Sequence, residues 1–108
     1  MGKKNGKGRE YNFERKLIFE GEFTFGKRKG KGKEYNNEGV LIFEGEYLNG
    51  NRNGKGKEYN DKGILIFEGE YLYNYKRKGR TYIKNKLEYE GEFLYYNKWN
   101  GKMMKMVI

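Results

Sequence analysis

Glutamates recur in pairs two residues apart, at Glu20/Glu22, Glu44/Glu46, Glu68/Glu70 and Glu90/Glu92, each pair flanking a glycine. Two carboxylates so spaced on a strand share a face, as in a glycosidase acid–base pair or a hard-cation site. The four pairs are nearly identical, though, and a ladder of lysines between them would neutralise them. No copy stands out as a unique active site. A second candidate is Gly50-Asn-Arg-Asn-Gly54-Lys55, which resembles the phosphate-cradling G-x-x-x-x-G-K-[ST]. It is one spacer short, Gly56 stands where the metal-binding hydroxyl belongs, and no helix pattern follows.

Other chemistries lack their parts. The 108 residues include no Cys, His or Ser, and only Thr24, Thr81 and Asp61 represent Thr and Asp. Disulfides, thiol nucleophiles, imidazole bases and the commonest transition-metal ligands are therefore excluded. No catalytic residue, metal, cofactor or small-molecule substrate is expected, and the chain reads as a non-enzyme.

Such glutamates and glycines must be positioned by a repeat. The glycine–lysine pair, with Arg80 for the lysine in the fourth copy, starts at Gly6, Gly30, Gly54, Gly79 and Gly101, and the tetrapeptide FEGE or YEGE follows at Phe19, Phe43, Phe67 and Tyr89. This gives repeats at about 6–29, 30–53, 54–78 and 79–100, with a partial or capping unit at 101–108. In LIFEGEYL, Leu41, Phe43, Gly45 and Tyr47 fall on one face of a strand, and Ile42, Glu44, Glu46 and Leu48 on the other. GKGKEY forms a second strand, and the Asn/Gly tracts LNGNRN and NNEG supply turns. The expected fold is all-β: one domain, an elongated single-sheet antiparallel meander of tandem β-hairpins with about nine short strands. Pairing Gly45 with Gly56 would set Glu46 against Lys55 and Glu44 against Lys57. The same arithmetic sets Glu22 against Lys31 and Glu20 against Lys33. One face becomes an aromatic trough floored by glycines, the other a Glu/Lys lattice.

The units resemble MORN repeats (membrane occupation and recognition nexus), whose pattern runs Tyr-Glu-Gly-Glu-Trp, Asn-Gly, then His-Gly-X-Gly. Here it is carried by FEGEY with NGNRNGKG in the second repeat and by YEGEF at Tyr89–Phe93. Phe23, Tyr47, Tyr71 and Phe93 replace the Trp, and Lys29, Asn53, Lys78 and Asn100 replace the His. The resemblance implies a twisted meander of hairpins that positions partners at membranes or cytoskeletal structures, and for some members a hold on acidic phospholipids.

Lys and Arg number 24 against 15 acids, and 19 of the 24 lie in or beside the turns that precede each GKG. Those turns emerge at one edge, two strand spacings or about 10 Å apart, and would form a positive ridge. With Lys31, Lys33, Lys55 and Lys57 assigned to the glutamates, Lys27, Arg28, Lys29, Arg52, Lys76, Arg77 and Lys78 remain for an anionic partner. The last repeat departs from the pattern, which makes Tyr73, Tyr75, Tyr95, Tyr96 and Trp99 candidate anchors. The apolar end, Met103, Met104, Met106 and Ile108 with Val107, suits a cap or a partner surface. The leading functional reading is a scaffold that binds other proteins, or itself, through the trough, the last repeat and the open sheet edge. The alternative is peripheral binding to an anionic, phosphoinositide-bearing membrane; nucleic acid, on a basic–aromatic groove, ranks third. No signal peptide or membrane span is evident, so an intracellular, cytoplasmic location is expected, with membrane or cytoskeletal association.

Overall fold

The computed structural model describes residues 4–94 and 97–98, and within them the chain is all-β without a helix. The strands are β1 (Gly6–Tyr11), β2 (Leu17–Thr24), β3 (Lys27–Tyr35), β4 (Leu41–Leu48), β5 (Asn51–Tyr59), β6 (Leu65–Leu72), β7 (Tyr75–Ile83), β8 (Lys86–Leu94) and the two-residue β9 (Asn97–Lys98). Each pairs antiparallel with the next in sequence, so the order in the sheet is the order in the chain. The body measures 51 × 27 × 18 Å.

Turn chemistry sets this path. The tips Phe25-Gly26, Asn49-Gly50 and Tyr73-Asn74 hold positive φ at both central residues, which matches the twist of the flanking strands. At the opposite edge Asn36 Oδ1 accepts the N–H groups of Glu38 and Val40, and Asn60 does the same for Lys62 and Ile64. The β7–β8 connection is instead a two-residue turn, Lys84-Asn85.

Glycines pair as the spacing predicts for Gly21 with Gly32 and Gly45 with Gly56, and Gly69 faces Gly79. Glu20–Lys33 and Glu44–Lys57 also stand opposite each other. The expected Glu22–Lys31 and Glu46–Lys55 pairs do not form, because a bulge interrupts the ladder there. Gly54, at φ 106°, makes the bulge, and the Glu46 carboxylate folds over it to accept the Lys55 backbone N–H at 2.8 Å. Lys31 and Lys55 pair outward instead, with Glu46 and Glu70. The fourth repeat is also out of the expected phase. Gly79 takes the place of Gly32 and Gly56, not that of Gly30 and Gly54.

The core is a single file of rings on one face. Phe23, Phe19, Tyr47, Phe43, Tyr71, Phe67, Phe93 and Tyr89 touch edge to face in that order, with centroids 5.1–5.7 Å apart. Phe43 and Tyr71 approach Gly56 from its two neighbouring strands so closely that a Cβ there would lie 2.7 and 3.1 Å from them. Such ring-on-glycine contact lets a one-layer sheet bury aromatic area without a second layer.

Candidate functional site

Two faces compete for a functional role. On the aromatic face β3 carries Arg28, Gly32 and Glu34, and β5 repeats the series with Arg52, Gly56 and Glu58. The Arg28 guanidinium lies 4.1 Å from the centroid of Phe19, that of Arg52 4.0 Å from Phe43, and the Lys76 ammonium 4.7 Å from Phe67. Glutamates link these cations in one alternating line. It runs Lys4–Glu10 (3.7 Å), Glu10–Arg28 (2.8 Å), Arg28–Glu34 (3.8 Å), Glu34–Arg52 (3.0 Å), Arg52–Glu58 (3.7 Å) and Glu58–Lys76 (3.7 Å). The Tyr47 and Tyr71 hydroxyls donate to Glu34 and Glu58. At the next position Thr81 stands in place of the glutamate, and its hydroxyl donates to Glu88.

Burial alone would raise the Glu34 carboxyl. Hydrogen bonds from Arg52 and Tyr47 and the charge of both arginines outweigh it and hold Glu34 below the usual carboxylate range. Arg28, Arg52 and Lys76 are therefore paired cations roofing the core, not the unpaired charge expected of them. The trough is likewise closed: Phe19, Phe43, Phe67 and Tyr89 are 0% exposed, so it offers no surface to a partner.

The opposite face forms a groove along the sheet, of roughly 1580 Å³, floored by glycines from Gly8 to Gly91. Its rim carries eight carboxylates and eight cations. One row reads Arg9, Glu20, Lys33, Glu44, Lys57, Glu68, Arg80, Glu90, each opposite the next in register. The sign alternates at every strand, a period of about 10 Å.

The glutamates of this row are fastened, and the central lysines are not. Tyr35 and Tyr59 donate to Glu20 and Glu44 at 2.6 Å, and Tyr82 donates to Glu68. The Tyr35 bond holds the Glu20 carboxyl below its ordinary range. In turn, removal from water and the glutamate partner push the Tyr35 and Tyr59 phenols up to about 12. Lys31, Lys33, Lys55 and Lys57 are exposed and make no ion pair within 4.0 Å among the described residues.

At the edge that carries the β2–β3, β4–β5 and β6–β7 turns, Lys27, Lys29 and Arg77 are exposed without an ion pair among the described residues. Lys78 reaches Glu70 at 3.8 Å. The apolar tips Phe25 and Tyr73 stand 72% and 61% exposed beside Leu48, Leu72 and Tyr75. The remaining candidate anchors, Tyr95, Tyr96, Trp99, Met103, Met104, Met106 and Ile108, lie outside the described residues. Sequence reasoning missed the ion line, although Arg28 and Glu34 share the parity of Gly30 and Gly32. No helix among the described residues is long and apolar enough to cross a membrane, and no acidic cluster there is placed to hold a metal ion.

Compared with protein-family models and with curated proteins, the chain matches none.

Proposed function

We propose that this chain is a non-catalytic scaffold that holds a segment of another protein in its charged groove. The supporting observation is the groove's rim, in which carboxylates fixed by tyrosines alternate with lysines free to engage a ligand. An extended or helical segment with alternating charge would meet complementary groups at every strand. The balance of eight acids and eight bases tells against nucleic acid, which requires a continuous positive track for its phosphates. The resemblance to MORN repeats leads to the same kind of role, a module that positions partners.

A second reading rests on the turn edge, where Phe25 and Tyr73 protrude next to Lys27, Lys29 and Arg77. Aromatic tips flanked by cations suit the interface of an anionic bilayer. One set of variants separates the two readings. Lys33→Glu/Lys57→Glu should remain folded, with a melting temperature lowered by the new glutamates standing opposite Glu20, Glu44 and Glu68, and should release a protein partner captured by the immobilised wild type, with phosphatidylserine-vesicle co-sedimentation unchanged. A captured partner that stays on this variant sinks the groove reading. If Lys27→Glu/Lys29→Glu/Arg77→Glu instead abolishes salt-sensitive vesicle binding, the membrane reading gains.

A further inference from the structure

The outer edge of β1 is built like an internal strand. Its sequence, GKGREY, differs from the GKGKEY of β3 and β5 only in Arg9 for lysine, and both of those strands are paired on two sides. Edge strands and terminal repeats are normally altered to block further pairing. Lysines cannot be serving that purpose in β1, because the same positions are basic in the interior of the sheet.

What β1 lacks is specific. Gly56 is covered by two rings, Phe43 from β4 and Tyr71 from β6. Among the described residues Gly8 is covered by Phe23 from β2 alone. Arg28 lies over Phe19 and within 5.7 Å of Tyr47, and Arg52 over Phe43 and within 5.6 Å of Tyr71. Lys4 occupies the equivalent place, since the β2–β3 tip donates to its carbonyl as the next two tips donate to those of Arg28 and Arg52. Yet among the described residues it meets one ring, Phe23 at 5.2 Å. Lys33 stands between two glutamates in register, Glu20 and Glu44, whereas Arg9 has only Glu20. Among the described residues no strand pairs with the outer edge of β1.

We propose that this edge accepts an added antiparallel strand from a partner protein, of the form aromatic–Glu–Gly–Glu–aromatic. This rests on the reading of the chain as a non-catalytic binding scaffold. The donor's glycine sits opposite Gly8, its first glutamate faces Arg9, its second folds over Gly6 toward the Lys7 backbone N–H, as Glu46 does at Lys55, and its first ring crosses Gly8 beneath Lys4. Backbone hydrogen bonds supply affinity, and the ring pocket with the paired cations supplies selectivity. A symmetric dimer through two β1 edges is disfavoured, because pairing Gly8 with its copy sets Lys7 against Arg9. The occupant is therefore a strand unlike β1 itself.

The probe is a fluorescent peptide with the sequence of Leu41–Gly50, LIFEGEYLNG, titrated into the full chain. Binding should slow hydrogen exchange at the Gly6–Tyr11 amides. It should weaken at least tenfold when both peptide glutamates become lysine, or when the chain carries Lys7→Glu/Arg9→Glu. Combining the two reversals should restore it. Peptide binding should survive Lys33→Glu/Lys57→Glu, so failure of the groove reading is distinguishable from failure here. No binding, or binding lost only in the groove variant, overturns the proposal. Concentration-dependent self-association abolished by Lys7→Glu/Arg9→Glu would make the occupant a second copy and overturn a separate partner.

Discussion

Replacing Gly45 by alanine should destabilise the protein by about 3 kcal/mol or more, at the upper end of overpacking effects. A Cβ at this position would lie 2.5 Å from the Lys55 carbonyl oxygen, 2.6 Å from the Gly56 Cα and 2.9 Å from Phe43. The first two are backbone atoms of the adjoining strand, so relief requires β4 and β5 to separate rather than a side chain to rotate. Gly39 supplies the control. It sits in a turn at φ 82° with nothing near its missing Cβ, so Gly39→Ala carries only the backbone strain, about 1–2 kcal/mol. Urea titration followed by far-ultraviolet circular dichroism should rank Gly45→Ala well below Gly39→Ala. Equal losses would show that close strand approach does not hold the sheet. Against a total stability of about 5–15 kcal/mol for a domain of this size, the Gly45 effect is large.

Arg52→Met should cost about 2–3 kcal/mol at neutral pH, less than the 3–5 of a fully buried pair because Arg52 and Glu34 each remain about one-fifth exposed. The substitution keeps apolar cover on Phe43 but leaves Glu34 and Glu58 without their shared cation. Adding Glu34→Gln should recover about 1 kcal/mol of the loss, which a double-mutant cycle measures. The pH dependence has a definite sign. The Glu34 carboxyl is held below its unfolded value of 4.5, so its stabilisation is complete above that pH and fades as pH falls through the lower folded value. The gap between wild type and Arg52→Met should therefore be widest near neutrality and shrink below about pH 4.5. A gap that is constant from pH 7 to pH 3 would mean that packing on Phe43, not charge, is what Arg52 contributes.

The strands, their meander and the glycine register of the first three repeats were legible because FEGE and GKG recur there every 24 residues, and each central glycine can face only a glycine if rings are to cross it. The bulge was not. Strict alternation treats Gly30 and Gly32, or Gly54 and Gly56, as equivalent floors, whereas only the second of each pair carries rings. The first holds a positive φ that shifts the register by its extra residues. That error spread to the charges. Arg28 and Arg52 looked like free turn residues because the turn was taken to extend up to the GKG, yet β3 and β5 begin at Lys27 and Asn51 and carry both arginines onto the aromatic face. The groove was legible as a lattice of opposed signs. What sequence did not reveal is its asymmetry, since Tyr35, Tyr59 and Tyr82 secure the glutamates from positions that spacing alone cannot connect to Glu20, Glu44 and Glu68.

The tip tethers have a mechanical consequence. Gly26, Gly50 and Asn74 donate to the carbonyls of Lys4, Arg28 and Arg52, joining successive hairpins 24 residues apart. The sheet's strand order follows the chain, so tension between its two ends passes through these joints in series, and they yield one at a time instead of sharing the load. Each hairpin that yields frees about 80 Å of extended chain. A force–extension trace should show repeated small steps from the ends inward, the behaviour of a spacer that lengthens by increments while its remaining hairpins keep their rings in place.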